Sequence, residues 1–201
     1  MNKLICSCLI PSRKRISKLF TAIHTLNESA SNLDDFEILI RLDDDDADSL
    51  QFLRTLRQFK NVKVFVGPRH QGYASLETIF YTELAAHSVG EWNWFLLDDQ
   101  LIGGKDWNTK LRDVPTTGFI VQPEISRLGG SIYPKWEGSN FPIVPRNCWQ
   151  QFGWTTICKP ADTALDNLLR IQNGWKTWFL PGITAWHLED SDENLSLHRK
   201  L

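Results

Sequence analysis

The sequence lacks a long hydrophobic run and a recognisable leader. No stretch approaches the roughly 20 apolar residues that a bilayer-spanning helix requires. The apolar stretch at residues 4–10 is short, contains Ser7 and is followed by Pro11, unlike the continuous apolar region of a secretory signal. We therefore expect a cytoplasmic protein without a transmembrane segment.

Excess charge of one sign and paired metal-binding cysteines are also missing. The formal net charge of the 201 residues is −2, which provides no bulk attraction toward nucleic acid. The four cysteines do not have the spacing of a zinc knuckle. Cys6 and Cys8 would share one face of a strand, where buried apolar thiols are more common than metal ligands. No nucleic-acid partner is expected.

A glycine-rich loop is absent after the first predicted strand. The segment there reads IPSRKRISK and contains no glycine. Nucleotidyltransferases normally cradle phosphate with such a loop before a helix. The segment therefore argues against a nucleotidyltransferase, which stays an alternative enzyme class.

Apolar strands alternate with amphipathic helices in the first half. The pattern predicts strands at residues 4–10, 36–42, 62–66 and 92–97, and helices at 16–26, 50–59 and 76–85. This alternation is typical of an α/β fold with a mainly parallel sheet. The second half predicts helices at 107–112, 147–152 and 162–172, strands at 119–122, 177–180 and 183–187, and an irregular stretch at 126–145.

Two of the predicted strands end in aspartates. The segment WNWFLLDDQ at residues 92–100 runs from an apolar strand into Asp98 and Asp99, and FEILIRL at residues 36–42 leads into Asp43 and Asp44. Ligands of open α/β sheets bind at the carboxyl ends of the strands, so the two acidic clusters are expected to converge. Adjacent carboxylates suit a hard divalent cation. A solvated acidic loop that caps the next helix is the alternative.

Several motifs occur in an order that resembles GT-A-fold glycosyltransferases, especially the family 2-like ones. The motifs are LICSCLIPSRKR, RHQGYASLETIFYTELA, LLDDQ, LIGGKDWNTKL and PADTALDNLLRIQNGWKTWFLPGITAWH. The resemblance implies one GT-A-like domain over residues 1–201. A nucleotide-sugar-binding half would cover about 1–104, an acceptor and catalytic half about 105–190, and a polar tail 191–201.

The resemblance also implies roles for individual residues. The donor nucleotide would be bound by the first strand's turn, the second strand's end, the glycine turn and the acidic motif: Pro11, Arg13, Asp43, Asp44, Gly72 and Asp98. Asp98, Asp99 and His187 would hold Mn²⁺ or Mg²⁺. Asp162 would be the general base, with Asp166 as the competing candidate. The implied reaction transfers a sugar from a nucleotide-diphosphate sugar to an unknown hydroxyl acceptor, with inversion.

The sequence departs from the family pattern at two places. Gln100 stands where the second acidic residue of Asp-x-Asp is usual, and Ala161 stands where many relatives have glutamate. A neutral amide at position 100 favours weaker metal binding, so a non-catalytic nucleotide- or carbohydrate-binding protein is a further alternative. Arg13, Lys14 and Arg15 would attract a diphosphate or form a solvated basic turn.

Overall fold

The computed structural model describes residues 3–70, 76–128, 131–135, 142–148, 165 and 167–188. Within these ranges the strands are β1 (Cys6–Ser12), β2 (Phe36–Asp43), β3 (Val62–Gly67), β4 (Trp92–Phe95), β5 (Gln100–Gly103), β6 (Phe119–Leu128), β7 (Ser131–Pro134), β8 (Ile143–Pro145) and β9 (Lys176–His187). The helices are α1 (Ile16–Glu28), α2 (Ala47–Leu50), α3 (Leu53–Leu56), α4 (Leu76–Ala86) and α5 (Trp107–Arg112). A 3₁₀ turn (Leu33–Asp35) and a π-helical segment (Asn167–Gln172) complete the described elements.

The described strands form one mixed sheet in the order β3-β2-β1-β4-β8-β6-β9-β5, with β7 paired to β6. Strands β3, β2, β1 and β4 are mutually parallel, as the alternation of strands and helices predicts. Strand β8 joins this group antiparallel to β4, and β6 and β9 form a further parallel pair. The predicted α/β architecture is confirmed.

Alternate residues of the central strands face two separate apolar layers. In β1, Cys8 and Ile10 belong to the layer that includes α1 and α5, whereas Leu9 packs in the layer beneath α4. Because both faces are covered, the strands read as nearly continuous apolar runs. Cys6 and Cys8 are buried free thiols on the same face, as predicted.

The structure corrects several element boundaries. The helix predicted over residues 50–59 is two short helices, α2 and α3. The stretch at 126–145, predicted to be irregular, contains the end of β6 together with β7 and β8. The strands predicted at 177–180 and 183–187 are one strand, β9.

The double glycine Gly103–Gly104 at the end of β5 allows a close approach to β9. A Cβ at Gly104 would lie 2.2 Å from the carbonyl oxygen of Gly182, and the φ of Gly104 is +98°. Only glycine adopts this conformation without strain. Among the described helices, none has the length and apolar composition needed to cross a membrane.

Candidate functional site

Three parallel strands deliver polar residues to one edge of the sheet. Strand β1 ends at Ser12, its neighbour β2 ends at Asp43, and β4 runs into Asp98 and Asp99. Since β1 lies between β2 and β4 in the sheet, the three carboxyl ends are adjacent. The predicted convergence of the two acidic clusters is observed as a chain of contacts through the turn after β1.

Asp43 is buried between two arginines. Its Oδ2 accepts a hydrogen bond from Arg13 Nη1 at 2.7 Å, and its Oδ1 accepts one from Arg41 Nη1. Arg13 also donates to Asp45, with Nη2 3.2 Å from Asp45 Oδ2. Hydrogen bonds to Asp45 and Asp43 raise the pKa of Arg13, and the same guanidinium lowers the pKa of Asp45. The two arginines therefore fix the orientation of the Asp43 carboxylate.

Arg41 is a buried cation within β2. Only 2% of its side chain is exposed. Its Nε donates to Glu83 Oε2 at 2.9 Å, and Nη2 donates to the Pro68 carbonyl oxygen. The guanidinium also lies 4.7 Å from the centroid of the Phe80 ring. Arg41 thus ties the end of β2 to α4 and to the turn after β3.

Asp98 and Asp99, here called the carboxylate pair, are both about 4% exposed. Ser12 Oγ donates to Asp98 Oδ2 at 2.7 Å. Arg15 Nη1 lies 3.2 Å from Asp98 Oδ1 and 2.8 Å from Asp99 Oδ2. Burial raises the pKa of Asp98, and this effect outweighs the hydrogen bond from Ser12 and the charge of Arg15. The pair is thus a buried set of carboxylate oxygens whose described guanidinium partner is Arg15.

His187 reaches the carboxylate pair through strand pairing. Strands β5 and β9 are antiparallel with Gln100 opposite His187, and the Leu188 amide donates to the Asp99 carbonyl oxygen at 2.8 Å. This register places His187 Nε2 3.4 Å from Asp99 Oδ1. Asp99 Oδ1 is buried and accepts no hydrogen bond from the part of the chain that the structure describes.

A cavity of about 240 Å³ opens beside these residues. It is lined by charged, polar and apolar side chains: Pro11, Ser12, Arg13, Arg15, Arg41, Asp43, Arg69, His70, Phe80, Leu97 and Asp98. Four arginines and two aspartates lie in the lining itself, and the other acidic partners of these arginines, Asp45, Glu83 and Asp99, lie outside it. Such a lining suits an anionic ligand, and the Phe80 ring adds an apolar surface.

The carboxylate pair has donor atoms suitable for Mn²⁺ or Mg²⁺. Within the described ranges, no three His, Cys, Asp or Glu side chains come together as a ready-made metal site. However, Mg²⁺ is commonly bound by one or two carboxylates, with waters and substrate phosphates completing its shell. Asp99 Oδ1 is a buried acceptor that receives no hydrogen bond within the described ranges, and the His187 imidazole faces it. The residues therefore fit a divalent cation that shares its shell with a phosphate ligand.

Some of the predicted nucleotide-binding residues line the cavity and others do not. Pro11, Arg13, Asp43 and Asp98 line the cavity. Asp44 is exposed and not part of the lining; its backbone amide donates to the Gly67 carbonyl oxygen at 2.8 Å. The other predicted residues, Gly72, Asp162 and Asp166, lie outside the described residues.

Gln100 has a structural role in the turn that carries the carboxylate pair. Its Oε1 accepts a hydrogen bond from the Leu97 amide at 2.7 Å. Its backbone amide donates to the Leu97 carbonyl oxygen at 3.2 Å. The side chain that replaces the usual second acidic residue is thus used to close the turn.

Sequence reasoning missed Arg41 and did not distinguish Arg15 from its basic neighbours. Arg41 interrupts the apolar run FEILIRL, and a charged residue inside a buried strand indicates a buried ion pair or a functional role. That signal was available. The contact of Arg15 with Asp98 joins residues 83 positions apart, so local sequence carries no trace of it.

Comparison with protein-family models and with curated protein sequences gave no match. Comparison with solved structures did. The mannosyltransferase PcManGT from Pyrobaculum calidifontis, solved with GDP-Man and Mn²⁺, superposes with a TM-score of 0.70 at 11% identity over 98% of this chain. S. aureus TarS residues 1–349, solved with UDP-GlcNAc, superposes with a TM-score of 0.69 at 12% identity over 96% of this chain.

A third structure, TarS residues 1–349 with UDP, gives a TM-score of 0.65 at 11% identity over 94% of this chain. The chain spans 60% of the mannosyltransferase chain, and 61% and 59% of the two TarS chains. At these identities the likeness establishes the fold. The chain has the GT-A-like fold of the glycosyltransferases.

Proposed function

We propose that the protein transfers a sugar from a nucleotide-diphosphate sugar to a hydroxyl acceptor. The observation that carries this proposal is the convergence of Asp43, the carboxylate pair and His187 at one sheet edge, beside an arginine-lined cavity. The fold supports it, because the matched structures were solved with UDP, UDP-GlcNAc or GDP-Man.

The described residues suggest how the donor would be held. Asp43, fixed between Arg13 and Arg41, would accept hydrogen bonds from the nucleoside. The arginines of the lining would attract the diphosphate, since guanidinium groups match phosphate oxygens in charge and shape. Phe80 would provide an apolar contact at the cavity wall. This arrangement orients the donor and supplies the positive charge that its diphosphate requires.

Asp99, with Asp98 and His187, would hold Mn²⁺ or Mg²⁺. The bound cation would stabilise negative charge on the departing nucleoside diphosphate. A bound divalent cation was part of the mannosyltransferase structure, which contained Mn²⁺. In this chain the buried acceptor Asp99 Oδ1 and the adjacent imidazole support the assignment.

The proposed reaction is a single displacement. The acceptor oxygen forms a bond to the anomeric carbon as the bond from that carbon to the diphosphate oxygen breaks, which inverts the anomeric centre. A carboxylate accepts the proton of the acceptor hydroxyl. We retain Asp162 as the proposed base and Asp166 as the alternative, on the sequence resemblance alone.

A panel of UDP- and GDP-sugars incubated with protein and Mn²⁺ tests the proposal, with release of nucleoside diphosphate as the readout. We expect slow hydrolysis of at least one donor, because water can replace the acceptor. The Asp43→Asn variant should lose most of this turnover, whereas Asp113→Asn, a change at an exposed aspartate after α5, should retain it. Absence of both turnover and nucleotide binding for every donor would contradict the proposal.

A non-catalytic nucleotide-binding protein is the second candidate. It is favoured by one observation: Arg15 already contacts both members of the carboxylate pair. Calorimetry with UDP and GDP, with and without Mn²⁺, separates the two candidates. Binding that depends on Mn²⁺ and is lost in Asp99→Ala supports the transferase. Tight nucleotide binding that depends neither on Mn²⁺ nor on Asp99 supports the binding protein.

A further inference from the structure

Arg15 compensates two buried charges with one guanidinium that faces the surface. Its side chain is 43% exposed, whereas the side chains of Asp98 and Asp99 are 5% and 6% exposed. A single nitrogen, Nη1, lies within 3.2 Å of both carboxylates. Removing one partner from a buried ion pair leaves an uncompensated charge, which is strongly unfavourable. The metal-free carboxylate pair therefore needs Arg15.

The backbone of Arg15 is fixed independently of this contact. The preceding residue, Lys14, has a φ of +55° and its amide donates to Asp46 Oδ2 at 2.7 Å. The Arg15 carbonyl oxygen accepts a hydrogen bond from the Leu19 amide in the first turn of α1 at 2.9 Å. Because these anchors do not involve the side chain, the guanidinium can change partners without movement of the backbone.

Arg15 also lines the cavity that holds Arg13 and Asp43. Its guanidinium is thus within reach of two kinds of anion, the carboxylate pair on one side and a ligand in the cavity on the other. Arginine binds phosphate oxygens with paired hydrogen bonds, so a diphosphate in the cavity is a suitable second partner. A divalent cation at the carboxylate pair would repel the guanidinium toward that partner.

We propose that Arg15 is an exchangeable counterion. It neutralises the carboxylate pair while no metal is bound, and it transfers to the diphosphate of the donor when a divalent cation occupies the pair. This inference rests on the proposed function, because it presumes a nucleoside diphosphate and a metal in the same site. It adds a competition between this side chain and the metal, and it makes the contact of Arg15 with the diphosphate depend on the bound cation.

The proposed exchange predicts that loss of the Arg15 charge changes the affinities for Mn²⁺ and for nucleotide in opposite directions. Loss of the Arg15 charge removes the competitor, so Mn²⁺ alone should bind more tightly. The same loss removes a ligand of the diphosphate, so nucleotide should bind more weakly once Mn²⁺ is saturating. Couplings between sites typically change affinity by about 5- to 150-fold, and we expect a change of about tenfold in each direction.

The test uses calorimetry on the full chain with Arg15→Gln and with a matched control, Arg54→Gln, at an exposed arginine of α3. MnCl₂ is titrated first without nucleotide. UDP, GDP and the corresponding monophosphates are then titrated at saturating Mn²⁺. We expect tighter Mn²⁺ binding, weaker diphosphate binding and unchanged monophosphate binding for Arg15→Gln. The control should behave as the wild type in all titrations.

A second variant, Arg15→Lys, keeps the charge but has no paired donors for phosphate. It should bind Mn²⁺ within about twofold of the wild type and bind the diphosphates more weakly. If Arg15→Gln does not fold, this variant tests whether Arg15 binds the diphosphate. Weaker Mn²⁺ binding in Arg15→Gln, or unchanged affinities for Mn²⁺ and diphosphate in both variants, would overturn the exchange and leave the proposed function standing. A wild-type protein that binds neither Mn²⁺ nor nucleotide would overturn both proposals.

Discussion

Replacing Arg41 with methionine should destabilise the protein by about 3 kcal/mol. The substitution keeps a long apolar stem but removes the donors that serve Asp43, Glu83 and the Pro68 carbonyl oxygen. Breaking a buried ion pair by removing one partner costs about 3–5 kcal/mol. We expect the lower end of this range, because Asp43 keeps its 2.7 Å contact with Arg13 and the Glu83 side chain is 39% exposed.

Urea unfolding followed by tryptophan fluorescence measures this free energy. For a domain of 150–250 residues, 1 kcal/mol shifts Tm by about 2–4 °C, so Arg41→Met should lower Tm by about 6–12 °C. The matched control is Arg57→Met, at an exposed arginine directly after α3. A surface substitution of this kind is expected to change the free energy of unfolding by no more than about 0.5 kcal/mol.

A double-mutant cycle tests whether Arg41 stabilises the fold through its contact with Asp43. Asp43→Asn removes the buried carboxylate, so combining it with Arg41→Met should cost less than the sum of the single changes by about 1 kcal/mol or more. A loss below about 1 kcal/mol for Arg41→Met would refute the reasoning. So would strict additivity, since it would mean that Asp43 does not depend on Arg41.

Three further predictions concern other parts of the molecule. Burial raises the pKa of Asp46, but hydrogen bonds from Ser49 and from the Lys14 amide outweigh it and hold that pKa below its usual value. The free energy of unfolding should therefore fall as the pH falls below about 4, and Asp46→Asn should reduce this dependence in urea titrations between pH 3 and 7. Burial raises the pKa of the Cys148 thiol to about 12, so iodoacetamide at pH 8 should label it only after unfolding, as read by peptide mass spectrometry; labelling of the native protein would contradict this. Gly104→Ala should lower stability by about 1–3 kcal/mol, because its φ is +98° and the added Cβ would meet a carbonyl oxygen at 2.2 Å; an unchanged Tm would show that the turn relaxes.

The parallel half of the sheet could be predicted because its signals are local. Strands β1, β2 and β4 are apolar on both faces, and α1 has its buried residues at helical spacing. Strand β5 escaped notice because its four residues directly follow the carboxylate pair and end in the first glycine of Gly103–Gly104. A periodic pattern needs more residues than that to be visible.

The second half of the chain was harder to predict because tertiary pairing overrides its local signals. Strand β9 continues through Pro181 and Gly182, which read as a break in the sequence. The structure accommodates them where the β6–β9 register shifts between Pro123 and Ile125. Bulges are positions at which proline is tolerated in a sheet, and only the partner strand reveals them.

The candidate site likewise has some features that local sequence predicts and others that it does not. Asp43 and the carboxylate pair could be identified from their positions after apolar strands. Arg41 lies two residues before Asp43 and was missed although it is close in sequence. The other guanidinium groups that compensate these carboxylates could not be assigned, because they lie far away in the chain: Arg13 is 30 residues from Asp43, and Arg15 is 83 residues from Asp98. Charge pairing at this distance is a property of the folded chain.

The pairing of β5 with β9 makes assembly of the site a late event in folding. Gln100 and His187 are separated by 86 residues of the chain, and contacts between distant segments form slowly. A fragment ending near residue 104 would contain Asp43 and both members of the carboxylate pair, yet β5 would have no described neighbour and no imidazole would face Asp99. Capture of the proposed divalent ion by the nascent chain should therefore await β9, which couples maturation of the candidate site to the pairing of this strand.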